Sequence, residues 1–396
     1  MKITFWISLF VVFYTFVGYA IVLYCLVKIR RIIKGKRITP ELNQYFPTLT
    51  LIVAAYNEET LMEEKIRNTL ELSYQKDKLN LLFITDGSSD RTPEIVSGHP
   101  EIHLMHSPLR SGKINAIHRA MKEVDSEIVV FTDANTFLNS EALLYIARHY
   151  ADPTVGAVSG EKRVLQDAVS DATAGEGFYW KYESTLKKWD SELYSVVGAA
   201  GELFSVRRSL YKDVQADTIL DDFMISMLIA IQGYRIIYEP EAYASELSSD
   251  NIKEELKRKI RIAAGGIQSI LRLKPLFNPT LNPVLSFQYI SHRVLRWTVT
   301  PFLMILTFFL NIFICLQSTN LIFMLLLIAQ VLFYGMALSG WILEKRKIKV
   351  KALFVPYYFC IMNYAVLAGI IRYYQGSQSA VWEKAKRKSA ETSALG

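Results

Sequence analysis

Four long apolar runs constrain this chain more than anything else in it. Residues 3–27 carry no charged side chain and are rich in Phe, Val and Tyr. About 20 such residues suffice to cross the hydrocarbon core of a bilayer as a helix. Three further runs, roughly 297–316, 321–343 and 352–371, lie in the last quarter of the chain. The middle, in contrast, reads as an ordinary globular domain long enough to bury a sizeable core. With 51% hydrophobic and 21% charged residues overall, disorder, a collagen-like repeat and a small disulfide scaffold are excluded.

The first run is too long for the apolar part of a cleaved signal peptide, and a basic cluster follows it instead of a small-residue cleavage site. It is therefore expected to be a signal anchor. Lys28, Arg30, Arg31, Lys34, Lys36 and Arg37 follow it, and Lys345, Arg346, Lys347, Lys349 and Lys351 follow the third run. Basic residues beside spans mark the cytoplasmic side, so the globular domain is expected inside the cell (inner) membrane with the N-terminus outside. They also account for much of the +7 net charge, and no nucleic-acid recognition motif accompanies them. Lys384, Lys386, Arg387 and Lys388 in the tail oppose a final outward crossing, so the side of the tail stays open. Cys25, Cys315 and Cys360 all sit within apolar runs and read as small hydrophobes. The expected organisation is an anchor (1–27), a basic linker (28–46), a globular domain (47–250), amphipathic or interfacial helices (251–296), three spans (297–371) and a basic tail (372–396).

Within the globular part, short β-rich runs at 48–54, 79–85 and 128–132 alternate with helical stretches such as 60–70 and 113–124. This alternation predicts an α/β fold, a mostly parallel, Rossmann-like sheet with helices on both faces. Ligands of such sheets bind beyond the carboxyl ends of the strands. Three strand ends there are polar: Tyr56-Asn57-Glu58, Asp86-Gly87-Ser88-Ser89-Asp90 and Asp133-Ala134-Asn135. Any one of them reads equally well as a turn or helix cap; three converging on one edge point to a site. A phosphate-cradling glycine loop of either familiar type is missing, which lowers a dinucleotide or ATPase reading.

The ordered set Tyr-Asn-Glu, Asp-Gly-Ser-Ser-Asp, Lys113-Ile114-Asn115-Ala116 and Asp133-Ala134-Asn135 resembles the inverting glycosyltransferases of family 2. The apolar runs resemble the membrane-bound branch with cellulose, hyaluronan and chitin-oligosaccharide synthases. The resemblance covers roughly residues 47–273 and implies a GT-A-like fold and a nucleotide-sugar donor, with a UDP-sugar expected. It implies that Tyr56 packs on the base and that Glu58 and Asp86 hydrogen-bond the nucleoside. Lys113 would lie near the nucleoside and diphosphate, and Asp133 with residue 135 would hold Mg²⁺ or Mn²⁺ on the leaving diphosphate. Position 135 is Asn where the family carries Asp, so weaker ion binding is expected; Asn135 as a mere helix cap is the alternative.

The resemblance further makes Asp222 of Leu220-Asp221-Asp222-Phe223 the general base. A helix N-terminus favours its ionised form, whereas Asp221 raises its pKa. The segment 197–204, with Gly198, Gly201 and Glu202, matches the family's acceptor-lining stretch; a tight strand turn is the alternative. Tyr179, Trp180 and Tyr182 are candidates to stack on sugars, or simply to pack. In Arg258-Lys259-Ile260-Arg261-Ile262, the arginines Arg258 and Arg261 match diphosphate-binding positions, and Ile262 replaces the Trp that polymerising members use as an acceptor platform. The partners implied are a nucleotide sugar, a glycan or lipid-linked acceptor and the bilayer, with short or singly extended products. Two rivals stand: a nucleotidyltransferase, which would need neither four spans nor Asp222, and a transporter, for which the few polar intramembrane residues (Asn311, Gln330, Asn363) are a poor fit.

Overall fold

β1 (Leu49–Ala55) is buried at all seven positions, as a strand covered on both faces must be. It is the centre of a parallel unit. β2 (Leu79–Asp86) and β4 (Ile128–Asp133) flank it in parallel, and β3 (His103–Ser107) extends β2. Side chains alternate between faces along a strand. Ile52 and Ala54 accordingly meet Ile114, Ile117 and Met224 on one side, while Leu51 and Val53 meet Met62, Ile66 and Leu143 on the other. The structure is a computed structural model that describes residues 1–165, 173–247, 252–346, 348 and 350–377. Lys347, Lys349 and the tail lysines and arginine from Lys384 to Lys388 lie outside the described residues.

The remaining strands are β5 (Phe137–Leu138), β6 (Val155–Leu165), β7 (Leu203–Arg207) and β8 (Arg235–Leu247). The eight-stranded order is β3-β2-β1-β4-β7-β6-β8-β5. The expected mostly parallel sheet is a mixed one: β7 runs antiparallel to both β4 and β6, and β5 antiparallel to β8, while β6 and β8 are parallel. The reversal matters for function. Because β7 is antiparallel to β4, its beginning, not its end, lies at the carboxyl edge, and Leu203 pairs with Thr132. The loop before β7 thus reaches the edge where β1, β2 and β4 terminate.

Among the described residues, four helices are long and apolar enough to cross a membrane: Lys2–Lys34, Val299–Gln317, Leu321–Lys345 and Ala352–Tyr374. The first continues seven residues beyond the expected end at Val27, because Lys and Arg are good helix formers. Not all of its basic cluster faces lipid headgroups. Arg31 makes a two-pronged ion pair with Glu192 (2.5 and 2.6 Å), and Arg37 donates to the Glu192 carbonyl. The segment expected as an interfacial helix also differs. Pro283–Tyr289 and the π-turn Ile290–Val294 bury Gln288, Tyr289, Ser291 and His292. Its polar groups find partners on the helix Thr173–Leu193, so burial there outcompetes the bilayer surface. The helix Ile252–Arg272 lies against the last span and under the loop that precedes Asp221.

Candidate active site

The first strand end turns sharply. Asn57 adopts a left-handed φ of 53°, its side-chain oxygen accepts from the Ser89 N–H at 2.8 Å, and its own N–H donates to Ser88. The turns after β1 and β2 are thereby locked together. Glu58 is buried, with its N–H donating to Thr92 (2.9 Å). Asp86 Oδ2 accepts from the N–H groups of Ser111 (2.8 Å) and Gly112 (2.6 Å), just ahead of the helix Lys113–Met121. Arg110 lies flat over the Tyr56 ring, 3.8 Å from its centre. Tyr56, Asp86, Arg110 and Lys113 line one small slot above Ala54 and Ala55. Glu58 is not in that lining; it sits behind the turn.

At the end of β4, the Lys113 ammonium lies 2.9 Å from Asp133 and 3.2 Å from Asp221. Burial alone would pull its pKa down, but the two carboxylates outweigh burial and hold it above the ordinary lysine value. Asn135 is buried, and its Oδ1 has no hydrogen-bond partner among the described residues. It caps no helix; the next one, Ala142–Ala147, is preceded by Glu141. Behind this strand end, Lys65 is fully buried and donates to the Thr136 carbonyl at 2.6 Å. Burial lowers its pKa to about 7, with Asp133 opposing. Among the described residues no cluster of three His, Cys, Asp or Glu side chains could hold an ion on its own.

Asp221 and Asp222 open the helix Asp221–Ile231 inside its first turn, with Leu220 at the cap position and no side-chain cap bond. Burial, reinforced by Asp221 and opposed by Lys113, pushes the Asp222 carboxyl up to about 7. That is the range in which a general base works best near neutrality. Gly201 faces it: a Cβ there would lie 3.1 Å from Asp222 Oδ2. Gly198 has φ of +87°, and a Cβ there would strike the Phe223 ring at 2.1 Å. Gly198 therefore requires glycine, while a side chain at Gly201 would crowd the Asp222 carboxylate. Glu202 is anchored from both sides, its carbonyl accepting from Thr132 (2.9 Å) and its carboxylate taking Lys162 (2.6 Å). Burial would raise the Glu202 carboxyl, yet Lys162 and Arg258 together hold it below the usual range.

The two arginines expected at the diphosphate lie apart from the Lys113 slot. Arg258 hydrogen-bonds to Glu255 and approaches Glu202 (3.9 Å) and Glu246 (3.7 Å). Arg261 donates to the Ile219 carbonyl at 3.3 Å, supporting the loop before Asp221. Of the aromatic candidates, Trp180 carries Lys162 and Lys259 over its ring, and Tyr182 donates to the Phe16 carbonyl in the first span. The Tyr179 side chain lies outside the described residues.

A cavity of about 630 Å³ begins at Gly201 and Asp222 and runs past Arg258 and Ile262 to the first and last spans. Sequence reasoning did not anticipate three of its features. Trp297 lines it, its ring 5.4 Å from that of Phe223. Glu183 is buried and binds Arg293 (2.9 Å), Arg296 (2.9 Å) and His292 (3.3 Å); burial would raise its carboxyl, but these groups hold it well below the ordinary value. Lys187 also lines the cavity and is 7% exposed. For Glu183 and Lys187 the only sequence signal was charge at positions that otherwise follow a buried helical face.

Residues 50–215 match the model of glycosyl transferase family 2. The chain is 29% identical over 234 residues to the poly-beta-1,6-N-acetyl-D-glucosamine synthase of Staphylococcus aureus, covering 57% of this chain and 56% of that one. It is 27% identical over 237 residues to the same enzyme of Staphylococcus epidermidis, covering 58% and 57%. The chain thus spans about half the length of the curated relatives it matches. Among solved structures, it superposes on PcManGT, a mannosyltransferase from Pyrobaculum calidifontis in complex with GDP-Man and Mn2+. The TM-score is 0.72 at 25% identity, over 95% of this chain and all of that one. The sheet is therefore GT-A-like, and residues 50–215, which match glycosyl transferase family 2, are joined in this chain to helices long and apolar enough to cross a membrane, four of them among the described residues.

Proposed function

We propose that the protein transfers a sugar from a nucleotide-sugar donor to an acceptor hydroxyl, with inversion, in the assembly of a cell-surface glycan. The observation that carries this reading is Asp222. It is a carboxylate with its pKa raised to about 7, facing Gly201 at the mouth of the cavity and separated from the Tyr56–Asp86–Lys113 slot by Asp221. The slot takes the nucleoside, with Tyr56 on the base and Asp86 fixing the loop around it; a UDP-sugar is the expected donor. Glu58 acts by shaping the turn. Lys113 offers its charge to the diphosphate.

Asp133 and Asn135 fit a divalent ion. A carboxylate and an unsatisfied buried amide oxygen are hard donors that suit Mg²⁺ or Mn²⁺, and such ions are commonly shared between few protein ligands and substrate phosphates. PcManGT, solved with Mn2+, supports the assignment. When bound, the ion supplies charge neutralisation to the leaving diphosphate. In the transfer itself, the acceptor oxygen attacks the anomeric carbon from the face opposite the diphosphate, and the carbon–diphosphate oxygen bond breaks. Asp222 receives the acceptor proton, and the nucleoside diphosphate departs with the bonding electron pair. Gly198 and Gly201 let the acceptor approach the backbone. Arg258 and Arg261 act in this reading as supports of Glu202 and of the Ile219 carbonyl, on the acceptor side. Ile262 in place of an aromatic platform argues for short products. The catalytic domain faces the cytoplasm, on the basic flanks of the spans.

The test is full-length protein incubated with a panel of nucleotide sugars, reading diphosphate release and product mass, and the anomeric configuration by NMR. Release with one donor and an inverted linkage is expected. Failure to cleave any donor, or retention of configuration, would sink the proposal.

A further inference from the structure

The cavity beneath Asp222 changes character along its length. Next to the Asp222 helix its lining includes the charged groups Asp222, Glu202, Lys162 and Arg258. Farther on it is walled by Phe16, Val17 and Ile21 of the first span and Phe359, Met362 and Val366 of the last. Val17 and Ile21 are about half exposed on helices that cross the bilayer, so this end opens toward lipid. A growing glycan is polar and would leave its hydroxyls unmatched against these aliphatic walls. A hydrocarbon chain would not.

Between the two ends lies an excess of positive charge. Lys187, Arg293 and Arg296 all line the cavity. Glu183, one helical turn before Lys187, already binds both arginines. Asp190, on the same helix, is taken by His292 (2.6 Å), Tyr19 (2.5 Å) and Gln288 (3.0 Å). Glu161, the remaining acid that senses Lys187, accepts from Ser184. Lys187 itself has neither a hydrogen-bond nor an ion-pair partner among the described residues; its one contact is the face of the Tyr238 ring, 5.6 Å away. Glu161 is the acid whose charge reaches Lys187, and the two form no ion pair; an anionic ligand in the cavity would give the ammonium the direct partner it lacks.

We infer that the cavity holds a lipid-linked acceptor: a hydrocarbon tail between the first and last spans, a phosphate at Lys187, and an attached sugar whose hydroxyl reaches Asp222. This deepens the proposed function and rests on Asp222 being the base. It replaces a free glycan as the acceptor class.

The experiment uses the full chain in nanodiscs. Binding of a long-chain polyisoprenyl phosphate, with no donor present, is read by native mass spectrometry beside the matching alcohol and a water-soluble oligosaccharide. The phosphate is expected to bind well above both. Lys187→Gln should weaken it about tenfold, the scale of one charge-assisted hydrogen bond, and leave the alcohol unchanged. Lys187→Arg should restore it. Met362→Trp, filling the apolar end, should weaken the phosphate and the alcohol alike. Nucleotide-sugar binding and its slow hydrolysis are measured on the same samples, so an unfolded variant is recognised. Phosphate binding no tighter than the alcohol, indifference to Lys187→Gln in a donor-competent protein, or preferential binding of the oligosaccharide overturns the inference. Loss of donor hydrolysis in the unaltered protein would instead break the reading it rests on.

Discussion

The donor side and the acceptor side of this site are built in different ways. On the proposed donor side, Tyr56, Asp86 and Asp133 end three adjacent parallel strands, with Asp86 held by the Ser111 and Gly112 N–H groups, Asp133 by Lys113 and Tyr56 by Arg110. On the proposed acceptor side, Gly201, Asp222, Trp180, Arg258 and Trp297 come from five separated stretches of chain. The first arrangement follows from sheet geometry alone. The second depends on charges buried at the junction: Glu183 with Arg293 and Arg296, and Asp190 with His292. Damage should therefore separate cleanly, with nucleotide binding surviving lesions at the junction.

The largest expected effect is at the meeting point. Asp222→Asn keeps shape and removes the proton acceptor, so the rate should fall about 10²–10⁴-fold. Donor affinity, measured by calorimetry, should stay put. Near-normal turnover, or parallel loss of nucleotide binding, would join the two sides in a way the geometry does not support.

Next comes Glu183→Gln, which leaves two arginines sharing a neutral amide in a buried site. Breaking such a cluster typically costs about 3–5 kcal/mol, read as a lower midpoint in chemical denaturation. Protein that remains folded should still bind the nucleotide. Loss of donor affinity in that folded fraction would refute the separation.

A smaller effect concerns pH. With burial and Asp221 raising the Asp222 pKa to about 7, the base is protonated in acid, so the rate should climb as pH rises through 7. Asp221→Asn removes one of the raising charges, and the climb should move to lower pH. The sign for stability is opposite. A carboxyl whose folded pKa is raised favours the native state below its unfolded value, and that contribution is lost as pH rises through the folded pKa. An unshifted profile in Asp221→Asn would remove the pair from the explanation.

The smallest change is on the donor side. Asn135→Asp adds a charged oxygen beside Asp133 and should tighten divalent-ion binding several-fold by titration, a modest effect of ligand charge, with turnover kept. Full activity of the unaltered protein in excess chelator would contradict the ion site altogether.

The donor side was legible because its signals are local. Strand periodicity located β1, β2 and β4 to within a residue or two, and Tyr56, Asp86, Asp133 and Asn135 stand at the polar strand ends read from the sequence. The spans were legible for the same reason, since hydropathy is a sum over neighbours in sequence. The resemblance singled out Asp222 in an Asp-Asp pair expected to open a helix, and the helix Asp221–Ile231 begins there. What tertiary structure decided was direction and company. The antiparallel turn of β7, which brings Glu202 to the carboxyl edge, follows from long-range pairing and has no local mark. The 283–296 segment looked amphipathic and so interfacial, yet His292 and Arg296 found carboxylates on the helix Thr173–Leu193. Arg258, matched to a diphosphate role by its neighbours in sequence, lies among Glu202, Glu246 and Glu255. Sequence alone determined the three central strands β1, β2 and β4, the spans and the polar residues at those strand ends. Which buried charges pair, and which one, Lys187, is left facing a cavity, is a balance of Coulomb attraction against desolvation that exists only once distant segments have been brought together.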